Sequence, residues 1–158
     1  MTITSNIKWK SLIINLIIPL ALGGIAALIT NNGMEDYNNV VKPALSPPNW
    51  LFPVVWTILY TLMGISTYLI YEKDHNINKK AFIIYAAQLA LNFIWPVFFF
   101  GFDAYFFSFI ILLTLIIFVI SMIICFYKEN KTAGLLQIPY LIWLLFAAYL
   151  NLSVYILN

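Results

Sequence analysis

Gln88, Asn92, Trp95 and Phe99 follow one another at intervals of four, three and four residues. On a helix that spacing puts them on one face. Amides exposed to hydrocarbon would go unsatisfied at real cost, so this face must look into protein. It serves there either as interhelical hydrogen-bonding glue or as the polar wall of an aromatic pocket. Pro139, Trp143, Ala147 and Asn151 form a second stripe, repeating every four residues. Its small residue leaves room for a close helix contact or for a flat ligand, and Tyr140, one residue round from Pro139, can donate a hydrogen bond. Trp56, Tyr60, Gly64 and Thr67 form a third stripe. The chemistry on offer is stacking against indole and phenol rings with a few directed hydrogen bonds.

Charged chemistry is scarce. No long apolar run carries Asp, Glu, Lys or Arg in its middle, which weighs against an ion- or proton-coupled pump. The one cysteine, Cys125, excludes an intramolecular disulfide and a cysteine-based metal cluster; it reads as an apolar filler with no base near it in sequence. The one histidine, His75, falls in a charged loop, so no metal site is expected.

The elements that carry these residues follow from composition. The chain has 158 residues, of which 63% are hydrophobic and 9% charged, against about 25% charged in soluble domains. That balance places it in a membrane. A span needs about 20 apolar residues, and the sequence supplies such runs at about 10–29, 47–71, 81–101, 105–127 and 133–156. The fold class is therefore all-α, one transmembrane five-helix bundle, with short loops forcing antiparallel neighbours. The second run opens on Ser46-Pro47-Pro48, where prolines suit a first helical turn and Ser46 suits the N-cap. Trp50 and Trp56 would then occupy its first turns, as an interfacial belt or facing a cavity. Gly23 and Ala27 in the first run suit a close contact, internal or between subunits. The fourth run is nearly all Ile, Leu and Phe, which predicts a lipid- or subunit-facing helix.

Lysines orient the bundle. Lys8, Lys10, Lys73, Lys79, Lys80, Lys128 and Lys131 fall on one side and Lys42 alone on the other. The positive-inside rule puts the N-terminus in the cytoplasm and the C-terminus outside. The net charge of +2 thus reports topology, and no nucleic-acid partner is expected.

Three motifs in order resemble one family, the TspO/MBR proteins, also called translocator proteins, tryptophan-rich sensory proteins or peripheral benzodiazepine receptors. They are Lys42-Pro43 with Pro47-Pro48-x-Trp50-x-Phe52-x-x-x-Trp56-Thr57-x-Leu59-Tyr60-x-Leu62-Met63-Gly64; Gln88-Leu89-x-Leu91-Asn92-x-x-Trp95-x-x-x-Phe99; and Pro139-Tyr140-x-x-Trp143-x-x-Phe146-Ala147-x-x-Leu150-Asn151. The resemblance covers nearly the whole chain and is weakest in the first and fourth spans. It implies a five-helix bundle in a bacterial cell membrane, commonly a homodimer, that binds porphyrins (protoporphyrin IX, haem), sterols and benzodiazepine-type drugs. The implied pocket takes Trp50, Trp56, Asn92, Trp95, Trp143 and Ala147, with Tyr60, Gln88 and Tyr140 as candidates beside them. Some members are reported to degrade protoporphyrin IX in light, a role that would fall to Trp56 and Trp143. Passive porphyrin or sterol translocation is a third reading. No cofactor is required; porphyrin would be ligand or substrate. Two departures stand out. Asn49 follows the paired prolines where many members have Gly, and Ala44-Leu45 stands where many carry Trp. The cholesterol motif of animal members is incomplete: Leu150 and Tyr155 are present but no basic residue follows, which speaks against tight cholesterol binding.

Overall fold

A computed structural model of the chain describes residues 7–74 and 78–158; His75 lies outside them. The described residues form helices α1 (Trp9–Ile29), α2 (Asn31–Asp36), α3 (Leu51–Asp74), α4 (Lys79–Pro96), a π-helical turn (Val97–Gly101), α5 (Tyr105–Glu129), α6 (Lys131–Leu135) and α7 (Ile138–Leu157). Five stretches are long and apolar enough to cross a membrane: Trp9–Ile29, Leu51–Glu72, Lys79–Gly101, Tyr105–Glu129 and Lys131–Leu157. The bundle closes as a ring in which α1 touches α3, α3 touches α6, α6 and α7 touch α5, α5 touches α4, and α4 returns to α1.

Prolines shape the elements. Pro47 and Pro48 do not open a helix. A residue preceding proline is pushed out of the α region, so 46–50 is a loop and α3 begins at Leu51. Ser46 is not a cap: its backbone N–H donates to Pro43 O at 3.0 Å, while its buried Oγ has no partner. Pro53 falls in the first turn, where a missing N–H is harmless. Pro19, buried inside α1, leaves the carbonyl of Asn15 without its helical donor. Gly64 of α3 packs on that turn: a Cβ there would lie 2.8 Å from both Asn15 O and Leu16 Cα. At Pro96 the α-helix gives way to the π turn, as helices do at an interrupted ladder. Pro139 is the second residue of α7, and the break from α6 falls just before it at 136–137. Polar caps start two helices: Asn78 accepts from Lys80 N at 3.0 Å, and Asn130 from Ala133 N at 3.2 Å.

The fourth span keeps the outward apolar face that composition predicts and adds a buried one. Ser108, Leu112, Leu115, Ile116, Val119, Met122 and Phe126 of α5 are buried at helical spacing against α4 and α7. An all-apolar composition hid this face, because an apolar stripe carries no contrast against apolar surroundings. The most lipid-exposed span is α1, where only Pro19 and Ala26 are buried.

Each end is tied. At one, the Lys8 ammonium meets the Glu72 carboxylate at 2.8 Å and Lys8 N–H donates to the Tyr68 hydroxyl at 3.1 Å. At the other, Tyr37 is buried against Phe99 and Phe100 of the π turn, and the Lys42 ammonium sits 4.6 Å from the Tyr37 ring centre. Asn158 grips the connecting loop at this end, accepting from Val41 N at 2.9 Å and donating to Val41 O at 3.1 Å.

Candidate functional site

The polar residues of α3, α4 and α7 meet in one hydrogen-bonded chain at the centre of the bundle. The Tyr60 hydroxyl donates to Asn92 Oδ1 at 2.6 Å, and Asn92 Nδ2 donates to the Tyr140 hydroxyl at 2.8 Å. The Tyr140 hydroxyl donates to Gln88 Oε1 at 3.0 Å, and Gln88 Nε2 reaches the Met63 sulfur at 3.4 Å. All five residues are buried. A second cluster lies nearer the π turn. There Trp95 Nε1 donates to Asn151 Oδ1 at 2.9 Å, Ser108 Oγ donates to the same oxygen at 3.0 Å, and Asn151 Nδ2 donates to Tyr105 O at 2.8 Å. These bonds join α3, α4, α5 and α7 and satisfy the groups that spacing alone left undecided. Gly23 belongs here too: a Cβ at that position would run into the Tyr60 ring, so its close contact is internal.

Aromatic rings fill the space between α3 and α7. Trp56 stacks on Tyr60 with ring centres 5.4 Å apart and planes at 28°. It lies 6.1 Å from Tyr140 and 6.3 Å from Trp95. Phe52 meets Trp143 edge-on at 6.0 Å, and Trp143 meets Phe146 at 5.6 Å. Trp56 and Trp143 are half-buried. Ala147, one turn beyond Trp143, is buried and small. Every indole and amide donor of the two clusters above is used, but the buried Trp143 Nε1 has no acceptor. A buried donor left unpaired is uncommon and calls for an explanation.

Trp50 stands apart from this seam. It is 65% exposed and lines a cavity of about 450 Å³ with Gly23, Ala26 and Ala27 of α1, Phe52 and Pro53 of α3, and Pro96. Two neighbours connect that cavity to the seam, since Phe52 touches Trp143 and Pro96 follows Trp95. Trp56, Asn92 and Trp143 do not line that cavity.

Sequence reasoning missed Tyr105, Ser108 and Gln137. Ser108 had a signal, a hydroxyl inside an otherwise apolar helix. Tyr105 contributes through its backbone carbonyl, which side-chain patterns cannot show. Gln137 is fully buried beside the α6–α7 break, with Nε2 3.5 Å from Leu62 O. Among the described residues there is no cluster of His, Cys, Asp or Glu able to hold a metal ion.

Five apolar helices around a buried core of amides, phenols and indoles define an integral membrane protein of the polytopic helical class. The TspO/MBR family model matches residues 15–157, and the chain belongs to that family. It is 37% identical over 148 residues to the tryptophan-rich protein TspO of Archaeoglobus fulgidus, covering 93% of this chain and 96% of that one. It is 38% identical over 125 residues to the TspO of Chlorobaculum tepidum, covering 77% and 78%. It is 32% identical over 130 residues to the human translocator protein, covering 80% and 77%. Both microbial and animal relatives thus match across most of their length.

Proposed function

We propose that this protein is a membrane receptor that takes flat apolar ligands, tetrapyrroles such as protoporphyrin IX first among them, into the aromatic seam between α3 and α7. The observation that carries the reading is the unpaired indole N–H of Trp143 beside Phe52, with the small Ala147 one turn away. A flat macrocycle gains by stacking and area burial against such rings, and an acceptor on it would satisfy the waiting donor. The resemblance to tetrapyrrole-binding members of the family adds the ligand class. Tyr60, Gln88, Asn92, Trp95 and Tyr140 form the polar floor. Trp50 guards the neighbouring cavity as the entry side, and Lys42, tethered to Asn38 Oδ1 at 3.3 Å, is the cation nearest to meet a propionate there. The packed seam must part for a ligand to enter, through side-chain rotation of Phe52 and Trp143. Family resemblance further supports a homodimer in the bilayer, and the lysine distribution a cytoplasmic N-terminus.

The test is a protoporphyrin titration in detergent, followed by tryptophan fluorescence. Saturable quenching that weakens in Trp143→Phe is expected; quenching that never saturates would reject the receptor.

A second reading, light- and oxygen-dependent porphyrin degradation, draws on the Trp56–Tyr60 stack. A photoexcited porphyrin is a strong oxidant, and an indole stacked on a phenol that is hydrogen-bonded to Asn92 is an oxidisable partner. Under illumination, loss of bound porphyrin should then slow in Trp56→Phe and Trp143→Phe where binding is retained.

A further inference from the structure

At the end of the bundle that holds the π turn, a cavity of about 520 Å³ opens where α5 begins and α7 ends. Asp103, Tyr105, Phe106, Phe107, Tyr155 and Asn158 line it. We propose that this cavity is a binding site for the ammonium headgroup of a zwitterionic phospholipid.

The charge argument comes first. Asp103 is exposed, its carboxylate receives the Tyr105 hydroxyl at 3.1 Å, and among the described residues no ammonium pairs with it. Its backbone is in the left-handed region, with φ 51, and it is the one non-glycine residue so placed among those described. Asp is among the residues that tolerate this region, and the Tyr105 hydroxyl holds its carboxylate in place beside the cavity. The surrounding end is acidic, with Glu35, Asp36 and Asp103 against Lys42.

Hydrogen-bonding capacity points the same way. Asn158 spends both amide hydrogens, on Val41 O at 3.1 Å and Val154 O at 2.9 Å. The Tyr105 hydroxyl hydrogen is spent on Asp103. The side chains of these walls offer a carboxylate and ring faces but few donors, which suits an ammonium, while the first turn of α5, uncapped by any side chain, leaves backbone N–H groups that suit the phosphate of the same headgroup. Phe106 and Tyr155 have ring centres 5.2 Å apart and form one aromatic wall; Phe107 continues the lining. Rings beside a carboxylate are the arrangement that recognises quaternary and alkylated ammonium groups.

Depth identifies the source as lipid. Tyr105 is the first residue of one membrane span and Leu157 the last of another, so the cavity lies at headgroup level. Phe106, Phe107 and Tyr155 are about half exposed and continue outward onto the lipid-facing surface, where acyl chains can lie.

The test uses dihexanoylphosphatidylcholine added to the purified full-length protein in maltoside micelles, with NMR observation of its N-methyl resonance. Aromatic rings around the headgroup predict a saturable upfield shift. Affinity should exceed that for dihexanoylphosphatidylglycerol, which has the same chains and no ammonium, by about tenfold or more. Asp103→Asn keeps a residue that tolerates the left-handed backbone, so it should fold normally and lose about tenfold in affinity. Tyr155→Leu should abolish most of the shift. Asp36→Asn, which removes an acid from the same end outside the cavity, should change neither. Free choline should bind more weakly than the lipid. Equal binding of the two lipids, an unaltered Asp103→Asn, or an equal loss in Asp36→Asn would overturn the proposal. Choline binding as tightly as the lipid would overturn the lipid as its occupant.

Discussion

Trp143 and Asn92 do opposite things with the same kind of donor. Asn92 spends its amide on Tyr140 and receives Tyr60, so its role is to hold three helices in register. Trp143 leaves a buried N–H open. Substituting the first should therefore cost stability, and substituting the second should cost binding. Asn92→Ala strands the buried Tyr60 hydroxyl and leaves Tyr140 only its bond to Gln88, and an unsatisfied buried group costs about 1–3 kcal/mol. Interhelical bonds in membranes measure below that range, about 0.6 kcal/mol on average. A lowered unfolding temperature in detergent, with an intact far-ultraviolet helix signal below it, is the expected result. Trp143→Phe should leave that temperature nearly unchanged, because removing an unpaired donor relieves a penalty. If Trp143→Phe were the more destabilised of the two, the open donor would be structural. Trp56→Phe keeps stacking surface while removing the oxidisable indole, so bleaching of bound porphyrin should fall more than affinity does. Bleaching at the wild-type rate in the Trp56→Phe, Trp143→Phe double variant would leave these tryptophans as walls only.

At the scale of elements, close approach matters more than hydrogen bonding for α1. Its register on α3 rests on Gly64 against the turn that Pro19 leaves open. Gly64→Val would push a branched side chain into Asn15 O and Leu16. Overpacking of this kind costs about 1–3 kcal/mol, read as easier unfolding in a denaturing-detergent titration. Unchanged unfolding would mean that α1 shifts freely on α3. The elements also show where sequence sufficed. Amides at helical spacing in apolar runs had to point inward, and Gln88 and Asn92 do. Helix starts were less legible. Paired prolines at 47–48 suit a first turn and a loop equally, and the backbone restriction on residues before proline decided for the loop. The inward face of α5 was illegible because inside and outside are both apolar. The π turn after Pro96 has no sequence signature beyond the proline itself.

For the whole molecule, the two ends carry different charge. Every lysine but Lys42 belongs to the end where Lys8 meets Glu72. With a cytoplasmic N-terminus, a cysteine at Lys131 should react with an impermeant maleimide only after cell lysis, and one at Asn38 in intact cells, both in a Cys125→Ser background. Labelling in the reverse order would invert the topology. Trp50, expected with the other tryptophans, lies instead on the α1 side, since the loop start of α3 turns it away from α7. The most direct test of the account is steric. Ala147→Leu adds three carbons one turn from Trp143, where overpacking costs about 1–3 kcal/mol. If that cost falls on the ligand, protoporphyrin affinity in the folded variant drops roughly 5- to 150-fold, at tenfold per 1.4 kcal/mol. Wild-type affinity in a stably folded Ala147→Leu protein would contradict a ligand seat between α3 and α7.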